Sequence, residues 1–474
     1  MRLDAILPVT GEAAGVEISA LAYDNRLVVP GTLFFCVPGF TRDGHDFAPD
    51  ALARGAAALV VERSLDLALP QVQVTDVRVA MAMAAAALFG DPTGELAVSA
   101  VTGTNGKTTT AYLLRSLLEA DGRQTGLLGT VKSVIGGVEH DVQRTTPEAI
   151  DLQHSFRQML EGGDVAAVIE ASSHALELHR VDAIHFQAAI FTNLTQDHLD
   201  FHPTMEDYFN AKRKLFTDLA PAHSIINLDD AYGVRLAAEL GDAITYAINS
   251  PTATYQALEV ENGLHGTSFK LRGPDGDHAI TSPLRGTFNV SNVLGAIAAA
   301  KALGLAQEPI AAAIAKAPQV PGRFETVEEG QDFAVLVDYA HTPDSLENVL
   351  KAARALTDKR LHVVFGCGGD RDRTKRPLMG EIAARLADRT VVTSDNPRSE
   401  DPEAIIEEIL AGIDKPVHYE VDRRVAIANA IAEAAAGDVV VVAGKGHEQG
   451  QEFAGGNKLP FDDVTVVREA LRGL

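Results

Sequence analysis

The stretch Val98–Thr110 reads VSAVTGTNGKTTT, an apolar run followed by a glycine-rich turn and the triplet Gly106-Lys107-Thr108. In a turn of this kind, glycines let backbone N–H groups approach phosphate oxygens, the lysine supplies a positive charge, and the threonine hydroxyl binds Mg²⁺. The helix expected next, through about Ala120, directs the positive end of its dipole at the same phosphates. The pattern predicts a strand, a phosphate-binding loop and a helix, and so favours an α/β fold.

This loop departs from the usual P-loop at one position. Val101 stands where the standard spacing has glycine, which makes an ordinary GTPase or kinase a poorer match. The alternative, a glycine-rich turn that only caps a buried helix, does not account for both the preceding strand and the threonine run after Lys107. We interpret the following residues as nucleotide-binding: Gly103, Thr104, Asn105, Gly106, Lys107, Thr108 and Thr109.

Composition bounds the class of protein. A chain of 474 residues is too long for one hydrophobic core, so two or three domains are expected. Its 41 Lys+Arg against 65 Asp+Glu give a net charge of −24, which would repel a nucleic-acid backbone, so the expected partner is a nucleotide and no nucleic-acid polymer. No apolar run suggests membrane insertion, and the N-terminus lacks the apolar core of a secretion signal. Cys36 and Cys367 have no metal-type spacing and are expected to be buried thiols in a reducing cytoplasm.

Apolar runs and turn signals divide the chain into three blocks, 1–97, 98–320 and 321–474, with the proline-containing segment Ala317–Gly322 between the last two. The first block is expected to be a small α/β module with a core helix at Met81–Phe89. In the other two, alternation of short apolar runs with helical patterns predicts mainly parallel sheets wrapped by helices. Thr342-Pro343 and Asp401-Pro402 each combine an N-cap with a first-turn proline, which predicts helix starts. Buried strands are expected at Val98–Thr102, Val165–Glu170, Ala188–Thr192 and Ser224–Leu228. The other short apolar runs are Thr32–Val37 and Ala56–Val61 in the first block and Phe333–Val337, Leu361–Phe365, Thr390–Thr393 and Val439–Val442 in the third, where each is followed by a turn.

Polar side chains follow the predicted strands of the second block. Glu170 ends one strand, and Asp197 and His198 closely follow another, at the strand ends where parallel sheets place their ligands. Glu170 and His198 have donor types that Mg²⁺ or Mn²⁺ accepts; alternatively, Glu170 caps a turn and His198 is structural. Lys212 lies on the apolar stripe of a helix that begins after Thr204. It must find an anion, lose its charge or snorkel to solvent.

Short motifs occur in a fixed order between Val101 and Glu448: VTGTNGKTTT (Val101–Thr110), IEASSHALELHRV (Ile169–Val181), FTNLTQDHLDFH (Phe191–His202), YFNAK (Tyr208–Lys212), GTFNVSN (Gly286–Asn292), PGRFE (Pro321–Glu325), VDYAHTPDSLEN (Val337–Asn348), GCGGDRDRTKRPLM (Gly366–Met379), DNPR (Asp395–Arg398) and AGKGHE (Ala443–Glu448). In these motifs the chain resembles the Mur ligase family. Within that family it is most similar to the cytoplasmic enzymes that add the third amino acid to the peptidoglycan precursor UDP-MurNAc-L-Ala-D-Glu.

The resemblance implies three domains: 1–97 binds the UDP-MurNAc peptide, 98–320 is a P-loop ATPase domain on a central parallel sheet, and 321–474 is a Rossmann-like domain that binds the amino acid. It also implies an ATP-dependent amide ligase. ATP would phosphorylate the D-Glu side-chain carboxylate, and the amine would attack the acyl phosphate, releasing ADP and phosphate. Because candidate residues are spread over three domains, we expect domain closure, and we expect a monomer.

The resemblance further assigns metal and ATP roles. Lys212 matches a lysine that the family carries as a carbamate, which would bind a second Mg²⁺, whereas Thr108 would hold the first. Asn289 is matched to the adenine side, with helix capping as the alternative. The residues matched as catalytic are Lys107, Glu170, His198, Lys212 and His341, of which Glu170, His198 and Lys212 are also metal ligands together with Thr108. Those matched to ATP outside the loop are Asn289, Asn292, Arg323 and Asp338.

Two further residue sets are implied for the other substrates. The UDP-MurNAc-dipeptide set comprises Tyr23, Asn25, Thr145, Thr146, Ser172 and Arg180. Asn25 stands where serine is expected, and Leu178 where some members have glutamine, so the uridine and muramyl contacts are open. The set for meso-diaminopimelate comprises Arg371, Asn396, Pro397, Arg398, Ser399, Gly444 and Glu448.

Arg398 is the residue expected to select the amino acid. Diaminopimelate differs from lysine by one extra carboxylate, and an arginine fork binds a carboxylate bidentately. The plainer interpretation is that Arg398 is a surface residue after a proline turn and that Glu448 is a solvated carboxylate.

Three alternative functions remain open. A folylpolyglutamate synthase shares the P-loop and the lysine carbamate but lacks a UDP-binding domain, which the segment Tyr23–Phe35 indicates here. A non-catalytic module would bind ATP without forming an amide. A dinucleotide dehydrogenase is a poorer match, because Arg371 occupies the place of the third glycine after Gly366 and Gly368.

Overall fold

The structure is a computed structural model that describes residues 1–142, 144–263 and 265–473 and, at position 12, the backbone alone. By their internal contacts, these residues group into two compact units that combine distant parts of the sequence. The first comprises Met1–Thr102, Asp121–Ile190 and Phe209–Ser224, and the second Gly103–Ala120, Phe191–Tyr208 and Ile225–Leu474. The three blocks expected from the sequence are a different division, and their boundaries stay a prediction.

Helices and strands alternate along most of the described chain. The strands are β1 Ala20–Ala22, β2 Thr32–Phe35, β3 Ala56–Val61, β4 Gln71–Gln73, β5 Ala97–Thr102, β6 Thr125–Leu128, β7 Ser133–Ile135, β8 Val138–His140, β9 Ala166–Glu170, β10 Phe186–Phe191, β11 His223–Asn227, β12 Ile244–Ala247, β13 Tyr255–Gly263, β14 Gly266–Gly273, β15 Gly276–Ser282, β16 Glu325–Val327, β17 Ala334–Asp338, β18 Leu361–Phe365, β19 Arg389–Thr393, β20 His418–Glu420, β21 Val439–Ala443, β22 Gln451–Phe453 and β23 Asn457–Leu459. The α-helices are α1 Ala48–Ala53, α2 Val77–Leu88, α3 Lys107–Ala120, α4 Ala149–Glu161, α5 Ser173–Glu177, α6 Met205–Thr217, α7 Ala231–Leu240, α8 Thr287–Ala302, α9 Gln307–Ile314, α10 Pro343–Arg354, α11 Lys375–Leu386, α12 Pro402–Leu410, α13 Arg423–Ala432 and α14 Asp463–Arg472.

The first unit contains two runs of strands. A parallel sheet in the order β1-β2-β3-β4 packs against α2, whose N-terminus is capped by Asp76. The second run has the order β10-β5-β9-β6-β7-β8, in which β5, β9 and β6 are parallel neighbours and β7 and β8 form an antiparallel edge. Val101 of β5 lies opposite Glu170 of β9, so the carboxyl ends of these two strands are side by side.

The second unit also contains two main runs of strands. One has the order β15-β14-β13-β12-β11, and the other has the order β16-β17-β21-β18-β19-β20, in which all neighbours except β16 and β17 are parallel. Helices α10, α11 and α12 cover one face of the latter sheet and α13 and α14 the other, as in a doubly wound, Rossmann-like fold. Helix α10 begins with the expected Thr342 cap, reinforced by Ser345 as a capping box.

The expected α/β class with parallel sheets is confirmed. Each expected strand is present with ends within two residues of those predicted, and Cys36 and Cys367 are free and buried. The antiparallel run β13-β14-β15 was not expected. Its strands β14 and β15 are joined by only two residues, a connection that permits an antiparallel hairpin but no parallel crossover. No helix within the described part of the chain is long and apolar enough to cross a membrane.

Candidate active site

The phosphate loop connects β5 to α3, as the sequence predicts, and its glycines are required by close contacts. Gly103 and Gly106 both have positive φ, at 145° and 83°. A Cβ atom at Gly103 would collide with the hydroxyl of Thr192, and one at Gly106 would collide with the side-chain oxygen of Asn292. Both positions therefore require glycine for conformation and for space.

The lysine of the loop is held against the loop itself. The Nζ atom of Lys107 donates to the carbonyl oxygens of Gly103 at 2.9 Å and Thr104 at 2.8 Å. The hydroxyl of Thr104 lies 3.1 Å from the buried phenol of Tyr208, whose ring stacks on His202. The first turn of α3 therefore carries its positive charge at the glycine-rich bend, where phosphate oxygens would be met.

A second loop, which follows β10, supports the phosphate loop through hydrogen bonds. Asn105 donates its backbone N–H to the side-chain oxygen of Asn193 at 2.8 Å, and its carbonyl accepts from the hydroxyl of Thr192 at 2.6 Å. Further along, the carboxylate of Asp197 accepts from the backbone N–H of His198, which has a positive φ of 53°. The phosphate loop is thus held by two adjacent loop residues that the sequence analysis did not single out.

Charges near Asp197 set its protonation. Burial alone would raise the pKa of Asp197, but the neighbouring His198, His341 and Lys107 lower it below its usual range. Burial and the charge of Lys375 lower the pKa of His341, whose Nδ1 donates to the carbonyl oxygen of Tyr339 at 2.9 Å. At neutral pH the arrangement therefore holds an ionised Asp197 and an uncharged imidazole at His341.

Residues of the third sequence block reach the phosphate loop. Arg323 donates to the hydroxyl of Thr108 at 3.4 Å. Asp344, in the first turn of α10, accepts from Nδ2 of Asn105 at 2.9 Å and from the hydroxyl of Thr195 at 3.0 Å. The structure therefore places Arg323 beside the loop, where its contact with ATP stays a prediction, and adds Asp344, which no spacing in the sequence indicates.

Asn289 and Asn292 lie on one face of α8. The hydroxyl of Thr110 donates to Oδ1 of Asn292 at 3.4 Å, and Nδ2 of Asn292 donates to Asn289 at 3.0 Å. Asn292 thus contacts the helix that follows the phosphate loop. Because the N-cap of α8 is Gly286, the alternative that Asn289 caps this helix is wrong.

Asp338 ends β17 inside the protein. Its carboxylate accepts the backbone N–H groups of Phe324 at 2.6 Å and Ala340 at 2.8 Å, while burial raises its pKa to about 6. Asp338 therefore fixes the segment that carries Arg323 to the loop.

Within the first unit, the expected peptide-binding residues converge on the carboxyl end of β9. The hydroxyl of Thr146 donates to the carbonyl oxygen of Glu170 at 2.7 Å and lies 3.2 Å from the hydroxyl of Ser172, which caps α5. The carboxylate of Glu170 accepts from the backbone N–H of Thr130 at 2.7 Å and from its hydroxyl at 3.0 Å, and Thr145 lies 3.2 Å from the same hydroxyl. Glu170 therefore stabilises the segment around Thr130 as well as ending its strand.

Arg180 belongs to a cluster that the sequence analysis missed. The nearly buried carboxylate of Glu148 pairs with Arg180 at 2.9 Å, Arg144 at 2.8 Å and Arg78 at 3.3 Å. Arg180 also donates to the carbonyl oxygen of Thr146 at 3.1 Å. The cluster carries more arginines than carboxylates and so favours an anionic group.

The remaining expected residues of this set, Tyr23 and Asn25, have acidic partners. The phenol of Tyr23 donates to Asp151 at 3.0 Å, and the amide of Asn25 donates to Asp50 at 2.7 Å. These bonds link Tyr23 to α4 and Asn25 to α1. No hydrogen bond between Tyr23 and Asn25 is found among the described residues.

Lys212 points inward from α6, as the apolar stripe predicts. Its exposed fraction is 1%, so the alternative in which the side chain snorkels to solvent is wrong. The helix begins after Thr204, whose hydroxyl accepts the backbone N–H of Asp207 at 3.1 Å. Lysines this deeply buried are rare, because removing a positive charge from water costs free energy unless the charge is paired.

Two loops of the Rossmann-like sheet carry the candidate amino-acid site. Nδ2 of Asn396, after β19, donates to Glu448, after β21, at 2.8 Å. Burial alone would raise the pKa of Glu448, but the charge of Lys445 lowers it below its usual range. Glu448 is thus a partnered carboxylate rather than a solvated one. Gly444 has a φ of 120°, which favours glycine at the start of its loop.

Arg398 is held in place rather than free at the surface. Its side chain is 21% exposed, Nε donates to Glu452 at 2.9 Å, and Nη1 donates to the carbonyl oxygen of Gly369 at 2.8 Å. Ser399 donates to Asp370 at 2.6 Å, which ties the segment after Pro397 to the same glycine-rich loop. Arg371 follows in that loop and is exposed.

The described residues contain no group of three or more His, Cys, Asp or Glu side chains placed to hold a metal ion. Magnesium, however, usually keeps several waters and is bound through one or two protein oxygens and the phosphates of a nucleotide. The hydroxyl of Thr108 and the carboxylate of Glu170 are oxygen donors of that kind. The chemistry of each fits Mg²⁺.

A strand, a glycine-rich loop with its lysine and a following helix, together with a doubly wound second sheet, define a nucleotide-binding α/β enzyme. Three family models match the chain: Mur ligase family, catalytic domain, at residues 17–91; Mur ligase middle domain at residues 101–300; and Mur ligase, glutamate ligase domain, at residues 322–446. The chain belongs to the Mur ligase family, as its motifs predicted.

Relatives match along the full length. The UDP-N-acetylmuramoyl-L-alanyl-D-glutamate–2,6-diaminopimelate ligase of Geobacillus kaustophilus is 47% identical over 470 residues, which cover 96% of this chain and 95% of that protein. The ligase of the same name from Gloeobacter violaceus is 49% identical over 484 residues, covering 99% and 98%. A solved structure of such a ligase is 35% identical, with a TM-score of 0.74 and coverage of 100% of this chain and 99% of that one.

Proposed function

We propose that this protein is an ATP-dependent amide ligase that adds meso-diaminopimelate to UDP-MurNAc-L-Ala-D-Glu, a step of peptidoglycan precursor synthesis, and releases ADP and phosphate. The observation that carries the proposal is the phosphate loop, where the Lys107 ammonium, the Thr108 hydroxyl and the Arg323 guanidinium lie on one glycine-rich bend. The names of the full-length relatives support the choice of substrates.

The chemistry follows from the poor reactivity of a carboxylate, which has no good leaving group. Transfer of the terminal phosphoryl group of ATP to the D-Glu side-chain carboxylate forms a P–O bond to that carboxylate and releases ADP. The amine then attacks the carbonyl carbon, the C–N bond forms and phosphate leaves. Negative charge accumulates first at the transferred phosphoryl group, where Lys107 and Arg323 neutralise it, so the loop acts chiefly by positioning and by charge.

Magnesium would supply further charge neutralisation when bound. We assign Thr108 to one ion and carbamylated Lys212 to a second, with Glu170 and His198 as further metal ligands. The burial of Lys212 supports this assignment. Carbamylation would replace its buried positive charge with a negatively charged group that can bind a metal ion. His341, uncharged at neutral pH by its burial, is assigned to the nucleotide side with Asp338, Asn289 and Asn292.

The dipeptide substrate is assigned to the first unit. The hydroxyls of Thr146 and Ser172 lie 3.2 Å apart, that of Thr145 contacts the hydroxyl of Thr130, and Arg180 donates to the carbonyl oxygen of Thr146. Such a set of hydroxyl donors with one guanidinium suits a carboxylate-bearing peptide. Tyr23 and Asn25 are assigned to the same substrate.

The free thiols of Cys36 and Cys367 support a reducing compartment, and we assign the protein to the cytoplasm as a monomer.

The first test is an assay of the purified protein with ATP, Mg²⁺, UDP-MurNAc-L-Ala-D-Glu and either meso-diaminopimelate or lysine. We expect ADP, phosphate and the diaminopimelate-containing product, with lysine used at least about 10⁴-fold less well, because lysine lacks the second carboxylate that Arg398 is proposed to bind. Arg398→Ala should lower kcat/KM for diaminopimelate by about 10²-fold or more.

Arg385→Ala is the matched control, because this arginine is exposed on α11 and pairs with Glu381 on its own helix. It should leave both activities unchanged. Formation of AMP and pyrophosphate, no turnover with the UDP precursor, or full diaminopimelate activity in Arg398→Ala would contradict the proposal. A folylpolyglutamate synthase would ignore the UDP precursor, and a non-catalytic module would not turn over ATP.

A further inference from the structure

Lys445 is a fully buried lysine, with an exposed fraction of 0%, in the loop that follows β21. Its ammonium donates to Oδ1 of Asn396 at 2.8 Å, to Oε2 of Glu448 at 2.9 Å and to Oδ1 of Asp395 at 3.5 Å. A lysine has three N–H donors, and these three acceptors use all of them. Lys445 therefore has no donor left for a ligand, and any effect it has on a ligand is exerted through these neighbours.

The acceptors of Lys445 orient one another. Oδ1 of Asn396 also accepts the backbone N–H of Glu452 at 3.0 Å, which leaves its Nδ2 to donate to Oε2 of Glu448 at 2.8 Å. Oε2 of Glu448 thus accepts two hydrogen bonds, while its Oε1 accepts none from the residues that the structure describes. One oxygen of this carboxylate is held by two protein donors, and the other is left to accept from a ligand.

We propose that Lys445 is a positioning residue for the incoming amino acid: it joins the loops after β19 and β21 and holds Glu448 so that Oε1 receives an ammonium group of the substrate. This rests on the proposed function, because an amino-acid substrate is what brings an ammonium group to these loops. A buried lysine is costly unless it is paired, and the pairing here organises two carboxylates and one amide into a single geometry.

The charged and titratable groups around Glu448 determine how the loss of Lys445 would be detected. They are Lys445, Asp395, His341, Tyr339 and Arg423. Burial would raise the pKa of Glu448, and the charge and hydrogen bond of Lys445 are the largest influences that lower it. Removing the lysine leaves Asp395 and Glu448 as neighbouring carboxylates without their shared cation. Glu448 then takes up a proton at a higher pH and ceases to bind an ammonium group.

The experiment compares wild type and Lys445→Met in steady-state kinetics between about pH 6 and about pH 9, around the range where a raised carboxyl pKa titrates. At about pH 7, KM for diaminopimelate should rise at least about tenfold in the variant, and part of the loss should be recovered at the alkaline end. KM values for ATP and the UDP precursor should stay within about twofold. Lys445→Gln removes the charge but keeps a donor, and it should show the same shift if Lys445→Met does not fold.

Lys301→Met is the matched control, because Lys301 is also largely buried and pairs with a carboxylate, Asp275, at 2.6 Å, yet belongs to the last turn of α8. It should leave KM for diaminopimelate unchanged. A cycle with Glu448→Gln adds an independent readout. If Lys445 acts through Glu448, Lys445→Met should add little to the rise in KM already caused by Glu448→Gln.

The proposal is overturned if Lys445→Met leaves KM for diaminopimelate unchanged, or if the rise in KM is independent of pH. It is also overturned if the effects of Lys445→Met and Glu448→Gln on KM are additive, because a merely structural role of Lys445 would give that result. Failure of the proposed function is recognised separately, in the wild type. If wild-type protein makes no amide with diaminopimelate, the positioning role falls with it, whatever the variants do.

Discussion

Buried charges in this protein are neutralised in two different ways. Arg423 and Asp463 are both fully buried and form a two-pronged pair, with Nε to Oδ1 at 2.8 Å and Nη2 to Oδ2 at 2.7 Å. This pair joins α13 to α14, and Nη2 also donates to the carbonyl oxygen of Ala443 at 3.0 Å, at the end of β21. Lys445, two residues after Ala443, instead neutralises the carboxylates of Asp395 and Glu448. The first pair joins two helices, and in the second arrangement a lysine orients the carboxylate that we propose receives the amino acid.

The Arg423–Asp463 pair can be tested by stability. Arg423→Met should destabilise the protein by ~3–5 kcal/mol, because it leaves the Asp463 carboxylate buried without a cation. The double variant Arg423→Met with Asp463→Leu should be more stable than Arg423→Met alone, because no uncompensated charge remains. Calorimetric unfolding of the three proteins checks this. Equal losses in the single and double variants would show that packing, and not charge, dominates at this position.

At the residue scale, the sequence predicts those features of a residue that depend on a single helix or strand. The burial of Lys212 follows from helical spacing, because every position of the stripe lies on the same helix. The partners of Lys445 and Asp344 could not be predicted in this way. Asn396 and Asn105 come from loops about 50 and 240 residues away, and no periodicity links such positions.

At the element scale, the phosphate loop shows how a glycine is required by its neighbours. Gly103→Ala places a methyl group against the hydroxyl of Thr192 and close to the backbone of Asn193, and it imposes strain at a φ of 145°. We expect ATP binding to weaken at least about tenfold, because a shift of the loop displaces the backbone N–H groups that meet phosphate. Titration with a fluorescent ATP analogue measures the effect.

Gly122→Ala is the control for that substitution. Gly122 also has positive φ, at 81°, but no atom lies within 4 Å of where its Cβ would stand. It should cost about 1 kcal/mol of stability from backbone strain alone and leave ATP binding unchanged. Equal nucleotide affinity in Gly103→Ala and Gly122→Ala would contradict the role of the close contact.

The elements themselves were largely predictable, because buried parallel strands are short apolar runs and capped helices have marked beginnings. Thr342 and Asp401 cap α10 and α12 as expected. The antiparallel run β13-β14-β15 was not predicted, because its residues alternate between buried and partly exposed positions, as in Gly266–Gly273, and so do not form an apolar run.

At the scale of the whole molecule, the third sequence block contacts the glycine-rich loop that is proposed to bind phosphate. Asp344, at the start of α10, accepts hydrogen bonds from Asn105 of the phosphate loop and from Thr195 of the loop after β10. All three residues belong to the second compact unit. One carboxylate thus connects a helix of the Rossmann-like fold to both loops that form the expected phosphate site.

This connection predicts that a residue outside the P-loop affects the affinity for nucleotide. Asp344→Ala removes both hydrogen bonds, so Asn105 and Thr195 lose their common acceptor and KM for ATP should rise about tenfold, whereas KM for the UDP precursor should stay the same. Asp344→Asn keeps one oxygen able to accept, so its KM for ATP should rise less, by about two- to threefold. Steady-state kinetics with each substrate varied in turn, together with direct titration of an ATP analogue, measures both. If ATP affinity is unchanged in Asp344→Ala, or if both variants lose affinity for the UDP precursor equally, Asp344 contributes to general stability and not to the nucleotide loop.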